Sequence, residues 1–187
     1  MLDKKIILAS KSPRRRELIE LITPNFEVCS ADVDETLEEG ITPEQAVLYL
    51  SEIKAQPFLE LAKGNNVVVG ADTVVSVDGK ILGKPKNNDD AFEMLKSLSG
   101  KEHSVFTGVT LLAENVKKSF YVETNVCFYP LSDEEINEYI STGECSDKAG
   151  AYGIQGKGSM LVEYIKGDYF NVVGLPVSKL NRELKTL

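Results

Sequence analysis

Residues 6–18 read Ile6-Ile7-Leu8-Ala9-Ser10-Lys11-Ser12-Pro13-Arg14-Arg15-Arg16-Glu17-Leu18. An apolar strand runs there into a short polar loop and a helix start with arginines in its first turn. Ser12 suits the N-cap and Pro13 the first helical position. Arg15 stands three residues after the cap, where a capping box would place Glu or Gln. Cations at a helix N-terminus oppose the helix dipole by about 0.3–1 kcal/mol each. A bound anion reverses that sign. Exposed N–H groups, the hydroxyls of Ser10 and Ser12, and the guanidinium groups of Arg14 and Arg15 make a phosphate cradle. A capped surface helix with solvated arginines is the plain structural alternative.

Asp72 interrupts the apolar run Val67-Val68-Val69-Gly70-Ala71-Asp72-Thr73-Val74-Val75. A carboxylate inside such a strand costs stability unless it is paired. It is either a buried Asp satisfied by a Lys or backbone groups, or a carboxylate placed to orient water or hold a metal. The loop containing Asp32, Asp34, Glu35, Glu38 and Glu39 offers further oxygen ligands. Asp34 and Glu35 could bind Mg²⁺, which takes carboxylates plus substrate phosphates; a solvated acidic loop is the alternative.

Two lysines stand out. Lys54 falls on the helical stripe Val47, Leu50, Lys54, Phe58, where an apolar residue is expected. Lys84, in Gly83-Lys84-Pro85, ends a hairpin that follows Asp72. If both hairpin arms reach one cleft, Lys84 neighbours the carboxylate. Each could instead be a snorkelling surface lysine. In Ala149-Gly150-Ala151-Tyr152-Gly153-Ile154-Gln155-Gly156-Lys157-Gly158, the glycines let backbone pass close to a ligand. The amide of Gln155 both donates and accepts, so it could read a base edge. Together these groups equip a cleft for metal-assisted attack on a phosphoanhydride.

The elements that carry them follow from periodicity and caps. After strand 6–9, a helix is expected from about Pro13 to Ile22, with Leu18, Leu21 and Ile22 as its apolar stripe. Phe26–Cys29 reads as a short strand. Thr42-Pro43-Glu44-Gln45 is a capping box that opens a helix, which Pro57 should kink or break. Val67–Val77 is a long strand, turned at Asp78-Gly79 into Lys80–Gly83. Asn88-Asp89-Asp90 opens a helix with Ala91, Phe92, Met94, Leu95 and Leu98 inward, stopped at Ser99-Gly100. Ser104–Leu112 and Ser119–Phe128 alternate as strands, and Ser132–Glu135 caps another helix to about Thr142. Two last strands are expected around Met160–Ile165 and Tyr169–Val173, before a C-terminal helix. Irregular alternation with hairpins predicts an α/β chain with a mixed sheet flanked by helices.

Composition narrows the function. The chain has 187 residues, 42% hydrophobic and 27% charged, with a net charge of −8. Its bulk field opposes binding to nucleic acid polymers, so any phosphate must be gripped by a local basic cluster. That favours a small nucleotide. No run approaches a membrane span, and the N-terminal Met1-Leu2-Asp3-Lys4-Lys5 leads into a strand without a signal-peptide pattern. Three scattered cysteines, Cys29, Cys127 and Cys145, argue against a disulfide framework or a cysteine zinc site. With His103 the single histidine, a Ser-His-Asp triad is not expected and His103 receives no role. A cytoplasmic protein is the simplest expectation. No Gly-x-x-x-x-Gly-Lys-Ser/Thr occurs, which argues against a P-loop kinase or ATPase.

Several ordered motifs resemble the Maf family over nearly the whole chain. They are Leu8-Ala9-Ser10-x-Ser12-Pro13-Arg14-Arg15-x-Glu17-Leu18, Gly70-Ala71-Asp72-Thr73-Val74-Val75, Leu82-Gly83-Lys84-Pro85, Leu98-Ser99-Gly100, Thr107-Gly108-Val109 and Asp147 through Gly156. The resemblance implies a nucleoside triphosphate pyrophosphatase, releasing a monophosphate and pyrophosphate. It implies a single domain over residues 1–187, with two lobes around a deep cleft. The implied fold is elongated and similar to inosine triphosphate pyrophosphatases. Asp72 would be the proton acceptor that activates water. Ser10, Arg14, Arg15, Lys54 and Lys84 would line the phosphate site, and Glu35 with Asp72 would hold a divalent cation, Mg²⁺ or Mn²⁺. The branch acting on 7-methyl-GTP has Trp at the position of Arg14, Gln at that of Thr73 and Glu at that of Gln155. Arg14, Thr73 and Gln155 therefore match the dTTP/UTP branch. A homodimer is implied as an option. The competing reading is a nucleotide-binding regulator of septum formation that acts without turnover.

Overall fold

The computed structural model describes residues 4–187. Met1, Leu2 and Asp3, part of the stretch read as leading into the first strand, lie outside the described residues.

Strand β1 (Lys5–Ala9) is the apolar run that opens the chain, and Ile6 and Leu8 are fully buried. It pairs in parallel with β2 (Phe26–Cys29) on one side and β3 (Asn66–Val77) on the other. A strand flanked by two parallel partners is covered on both faces, so it reads as a continuous hydrophobic run. β4 (Lys80–Leu82) returns antiparallel on β3, with Val75 opposite Leu82. Asp78 and Gly79 take positive φ in the turn, as a two-residue hairpin requires. β5 (Glu102–Ala113), β6 (Val116–Phe128) and β7 (Val162–Lys166) complete a mixed sheet in the order β2-β1-β3-β5-β6-β7, with β4 attached to β3.

The expected helix starts are present. α1 (Pro13–Glu20) is capped by Ser12, whose side chain accepts from the Arg15 N–H. α2 (Pro43–Ala55) has the full capping box of Thr42 and Gln45. Pro57 then falls in the 3₁₀ turn Gln56–Leu61 that replaces the helix. α3 (Asn88–Leu98) is capped by Asn87 and buries Ala91, Leu95 and Leu98. α4 (Asp133–Ser141) has the capping box of Ser132 and Glu135.

Three expectations fail. α1 ends at Glu20 and buries Leu18 and Ile19, while Leu21 is 63% exposed. Its last turn tightens through Leu21 N–H to Leu18 carbonyl and Ile22 N–H to Ile19 carbonyl, which rotates the stripe away from Leu21. Residues 156–161 form a 3₁₀ segment, so the strand expected from Met160 starts at Val162. Tyr169–Val173, expected as a strand, is helix α5. The Asp168 carboxylate accepts from the N–H groups of Phe170 and Asn171, and this cap overrides the β preference of Tyr, Phe and Val. The chain closes with α6 (Val177–Leu184), which buries Leu180 and Leu184.

The fold divides into two compact units, and the division falls within β3, β5 and β6. The first comprises the chain up to Asp72, Thr107–Val122 and Gly174–Leu187; the second comprises Thr73–Phe106 and Glu123–Val173. One core cluster of the first unit gathers Ile7, Ala9, Ala55, Ala62, Val68 and Leu112. The core of the second is built on Leu95, Leu98, Val126, Phe128, Ile136 and Tyr152, among others.

Candidate active site

Asp72 ends the portion of β3 that belongs to the first unit. Its carboxylate is mostly buried, with 13% of the side chain exposed, and it accepts from the ammonium of Lys54. Lys54 sits in the last turn of α2, with 19% of its side chain exposed. The same ammonium lies 3.1 Å from Glu35 Oε1. The polar interruption of the α2 stripe and the carboxylate in the apolar strand are thus partners. Two carboxylates converge on one cation.

Gly70 explains how α2 comes near enough. A Cβ on Gly70 would lie 2.3 Å from the Ser51 carbonyl oxygen and 2.8 Å from Ala55 Cβ. On Gly108 of β5 it would lie 2.2 Å from the Val47 carbonyl oxygen. Two glycines inside strands therefore let the backbone of α2 press directly on the sheet. Lys54 then reaches Asp72 two residues beyond Gly70. The motifs carried both glycines, and an interior strand glycine is the signal that marks such an approach.

The residues read as a phosphate cradle are tied to one another and to the chain. Ser12 N–H donates to Ser10 Oγ (3.2 Å), and Arg15 N–H to Ser12 Oγ (3.4 Å). Each hydroxyl accepts from the chain and keeps its own proton to donate outward. Arg15 Nε donates to the buried Gly174 carbonyl at 2.8 Å, which fixes the guanidinium from the start of the C-terminal segment. Burial pushes the Arg15 pKa down, the charges of Asp72 and Glu35 pull it up, and Arg14 pushes it down. Those four side chains therefore share one electrostatic neighbourhood. Arg16, by contrast, is exposed and lies 4.0 Å from Glu20 one turn along.

The acidic loop divides by role. Asp34 accepts from the Thr36 N–H (2.9 Å) and hydroxyl (2.6 Å), and these bonds hold its carboxyl below the usual range. Asp32 pairs with Lys11. Of the two carboxylates read as cation ligands from the loop alone, Glu35 is the one facing Lys54 and Asp34 closes a local turn. Among the described residues no group of three or more His, Cys, Asp or Glu is placed to hold a metal.

In the second unit, Thr73 follows Asp72 in β3 and is partly buried, while Lys84 stands exposed just past β4. Within the first unit, the lysine that closes on Asp72 is Lys54. The Gly150 N–H donates to the Gly83 carbonyl (3.0 Å), tying the residue before Lys84 to the Gly-rich segment. Gln155 is exposed at the start of the 3₁₀ turn Gly156–Leu161. His103 is buried in this unit, with Nε2 2.8 Å from the Tyr152 hydroxyl.

The family model described as Maf-like protein matches residues 5–187. The chain belongs to the Maf family. It is 50% identical over 182 residues to the dTTP/UTP pyrophosphatase of Bacillus cereus strain AH187, covering 97% of this chain and 95% of that protein. Its identity to the dTTP/UTP pyrophosphatase of Bacillus mycoides strain KBAB4 is the same, with the same coverage. The fold of this Maf chain is also similar to that of the Staphylococcus aureus Ham1 protein, with a TM-score of 0.52 and 18% identity over 86% of this chain and 81% of that one. Among the described residues of the Maf chain no helix is long and apolar enough to cross a membrane.

Proposed function

We propose that this chain is a nucleoside triphosphate pyrophosphatase that converts dTTP and UTP to the monophosphate and pyrophosphate. The observation that carries the reading is the convergence of Asp72 and Glu35 on Lys54 in the electrostatic neighbourhood of Arg14 and Arg15. The names and 50% identity of its relatives support the substrate class.

In this reading Asp72 accepts a proton from water. The water oxygen bonds to the α-phosphorus, and the α–β anhydride P–O bond breaks to release pyrophosphate. Ser10, Ser12, Arg14 and Arg15 bind the phosphate chain, and charge that develops on its oxygens meets their donors. Lys54 moves its charge between Asp72 and the phosphates, and Lys84 adds a second clamp. Thr73 and Gln155 select the pyrimidine, with Arg14 contributing from the phosphate side.

A divalent cation, Mg²⁺ or Mn²⁺, belongs to this chemistry. Glu35 and Asp72 would hold it. The donor set fits a hard ion: both carboxylates already face one positive charge, and such ions complete their shell with water and phosphate oxygens. When bound, the ion supplies further positive charge to the phosphoryl oxygens.

The test is to incubate the protein with dTTP, UTP and 7-methyl-GTP plus Mg²⁺ and identify the products. Pyrophosphate and a pyrimidine monophosphate are expected. Orthophosphate would overturn the reaction, and a preference for 7-methyl-GTP would overturn the branch.

A further inference from the structure

Gln155 projects from a backbone that is gripped on both sides by side chains from the end of α4 and the turn after it. On the C-terminal side the grip is Glu144. Both of its carboxylate oxygens accept from the Lys157 N–H, at 3.0 and 3.2 Å. The same oxygens would lie only 2.8 and 2.9 Å from a Cβ on Gly156, and Gly156 has a φ of +65°. The carboxylate therefore rests against the peptide that directly follows Gln155.

On the N-terminal side the grip is Lys148 and Tyr139. A Cβ on Gly153 would lie 2.6 Å from Lys148 Cε, so the lysine stem covers that glycine. The Gly153 N–H donates to the Tyr139 hydroxyl at 3.2 Å. The Lys148 ammonium in turn donates to the Glu144 carbonyl oxygen and pairs with Asp147 at 2.6 Å. The loop also closes on itself, because a Cβ on Gly158 would be 2.1 Å from the Gly153 carbonyl oxygen. The backbone at 153 and at 156–158 is thus held from several directions, while the Gln155 side chain is left exposed.

We propose that Glu144 is a positioning residue for base selection, clamping the 156–157 backbone so that the Gln155 amide is presented to the nucleobase in one orientation. A carboxylate is suited to this task. It accepts a charge-assisted bond from one N–H on both of its oxygens, and it stays outside the glycine cradle. An amide that reads a base discriminates only if its carrier is rigid, because a swinging amide offers donor and acceptor to any base. This inference rests on the base-reading role proposed above for Gln155.

The test compares Glu144→Ala, Glu144→Gln, Gln155→Ala and the double variant. It measures KM and kcat for dTTP, UTP and dGTP, and inhibition by inorganic triphosphate, which has no base. Glu144→Ala is expected to raise KM for both pyrimidine substrates about tenfold and to lower their preference over dGTP in proportion, with a smaller change in kcat. Inhibition by inorganic triphosphate should stay at the wild-type value. Glu144→Gln keeps an acceptor oxygen and should recover most of the preference. The double variant should discriminate no worse than Gln155→Ala. Wild-type preference in both Glu144 variants, beside a loss in Gln155→Ala, overturns the clamp and leaves the role of Gln155 intact. Unchanged preference in Gln155→Ala overturns base reading by Gln155 and the clamp with it. Triphosphate inhibition lost together with preference in Glu144→Ala shows general disruption and also overturns the clamp.

Discussion

Lys54 and Asp72 form an ion pair between the last turn of α2 and the middle of β3, and Glu35 joins it from the loop before α2. A mostly buried carboxylate needs such a partner. A pair made only for stability would be expected to stay closed, since opening it strands a charge. Here the second carboxylate and the nearby arginines give each charge another place to go. In the proposed reading, phosphate takes Lys54 and a divalent cation takes the two carboxylates.

Asp72→Asn tests the proton acceptor directly. The amide keeps the size of the side chain and loses its basicity. Removal of a general base lowers turnover by about 10²–10⁴-fold. The expected result is a kcat reduced by that factor, with KM for dTTP within a few-fold of wild type. Steady-state kinetics with pyrophosphate detection measures both. A variant with wild-type kcat would remove Asp72 from the role.

Gly70→Ala tests the close approach that brings the pair together. The new methyl meets the Ser51 carbonyl and Ala55, which belong to a helix backbone and cannot rotate away. Overpacking of this kind costs about 1–3 kcal/mol. α2 must shift outward and carry Lys54 from Asp72. Urea unfolding should show the lost stability, and kcat/KM should fall further than the stability loss explains. Gly83→Ala is the control, since a Cβ there meets nothing within 4 Å and φ is not positive. It should unfold at the wild-type urea concentration.

The sequence is legible where the decisive interactions are local. Ser12, Thr42 and Ser132 cap helices by bonds to residues three positions on, and both capping boxes and the Asp78-Gly79 hairpin follow from neighbours in the chain. The local bonds among Ser10, Ser12 and Arg15 are legible for the same reason, because these residues are adjacent. The pairing of Lys54 with Asp72 is not, since it depends on how far α2 sinks onto the sheet. The anchoring of Arg15 by Gly174 joins residues 159 positions apart and has no local signal. In α5 a local signal was present and outweighed: the Asp168 cap competes with Tyr169, Phe170, Val172 and Val173, whose types favour a strand.

Exchange of Arg15 for lysine should be felt in both the fold and the activity. Lysine keeps the charge and loses the planar fork that serves carbonyls and phosphates at once. Arg15→Lys leaves the buried Gly174 carbonyl without the Nε donor, at a cost of about 1–3 kcal/mol. It should therefore lower the urea midpoint and raise KM for dTTP together. An unchanged urea midpoint in Arg15→Lys would show that the Gly174 bond contributes nothing to stability.

His103 predicts a pH dependence of stability that is separate from catalysis. It is 3% exposed, stacked edge-on to Phe128 and Tyr152, and burial lowers its pKa from 6.5 to about 4. The folded state thus holds the neutral ring, while the unfolded chain takes up a proton near the ordinary value. Between those two values the unfolded state binds more protons, so stability falls as pH falls. The contribution is fully present above about pH 6.5, with about 2 kcal/mol lost by about pH 5 and about 3 kcal/mol by about pH 4. His103→Gln removes the titrating ring. Its absolute stability should drop, because the bond to the Tyr152 hydroxyl and the ring packing are lost. The diagnostic is the slope: unfolding free energy measured by urea between pH 7.5 and pH 5 should fall less in His103→Gln than in wild type, by about 2 kcal/mol. Parallel slopes in the two proteins would mean that the ring takes up its proton in the folded state as it does in the unfolded chain.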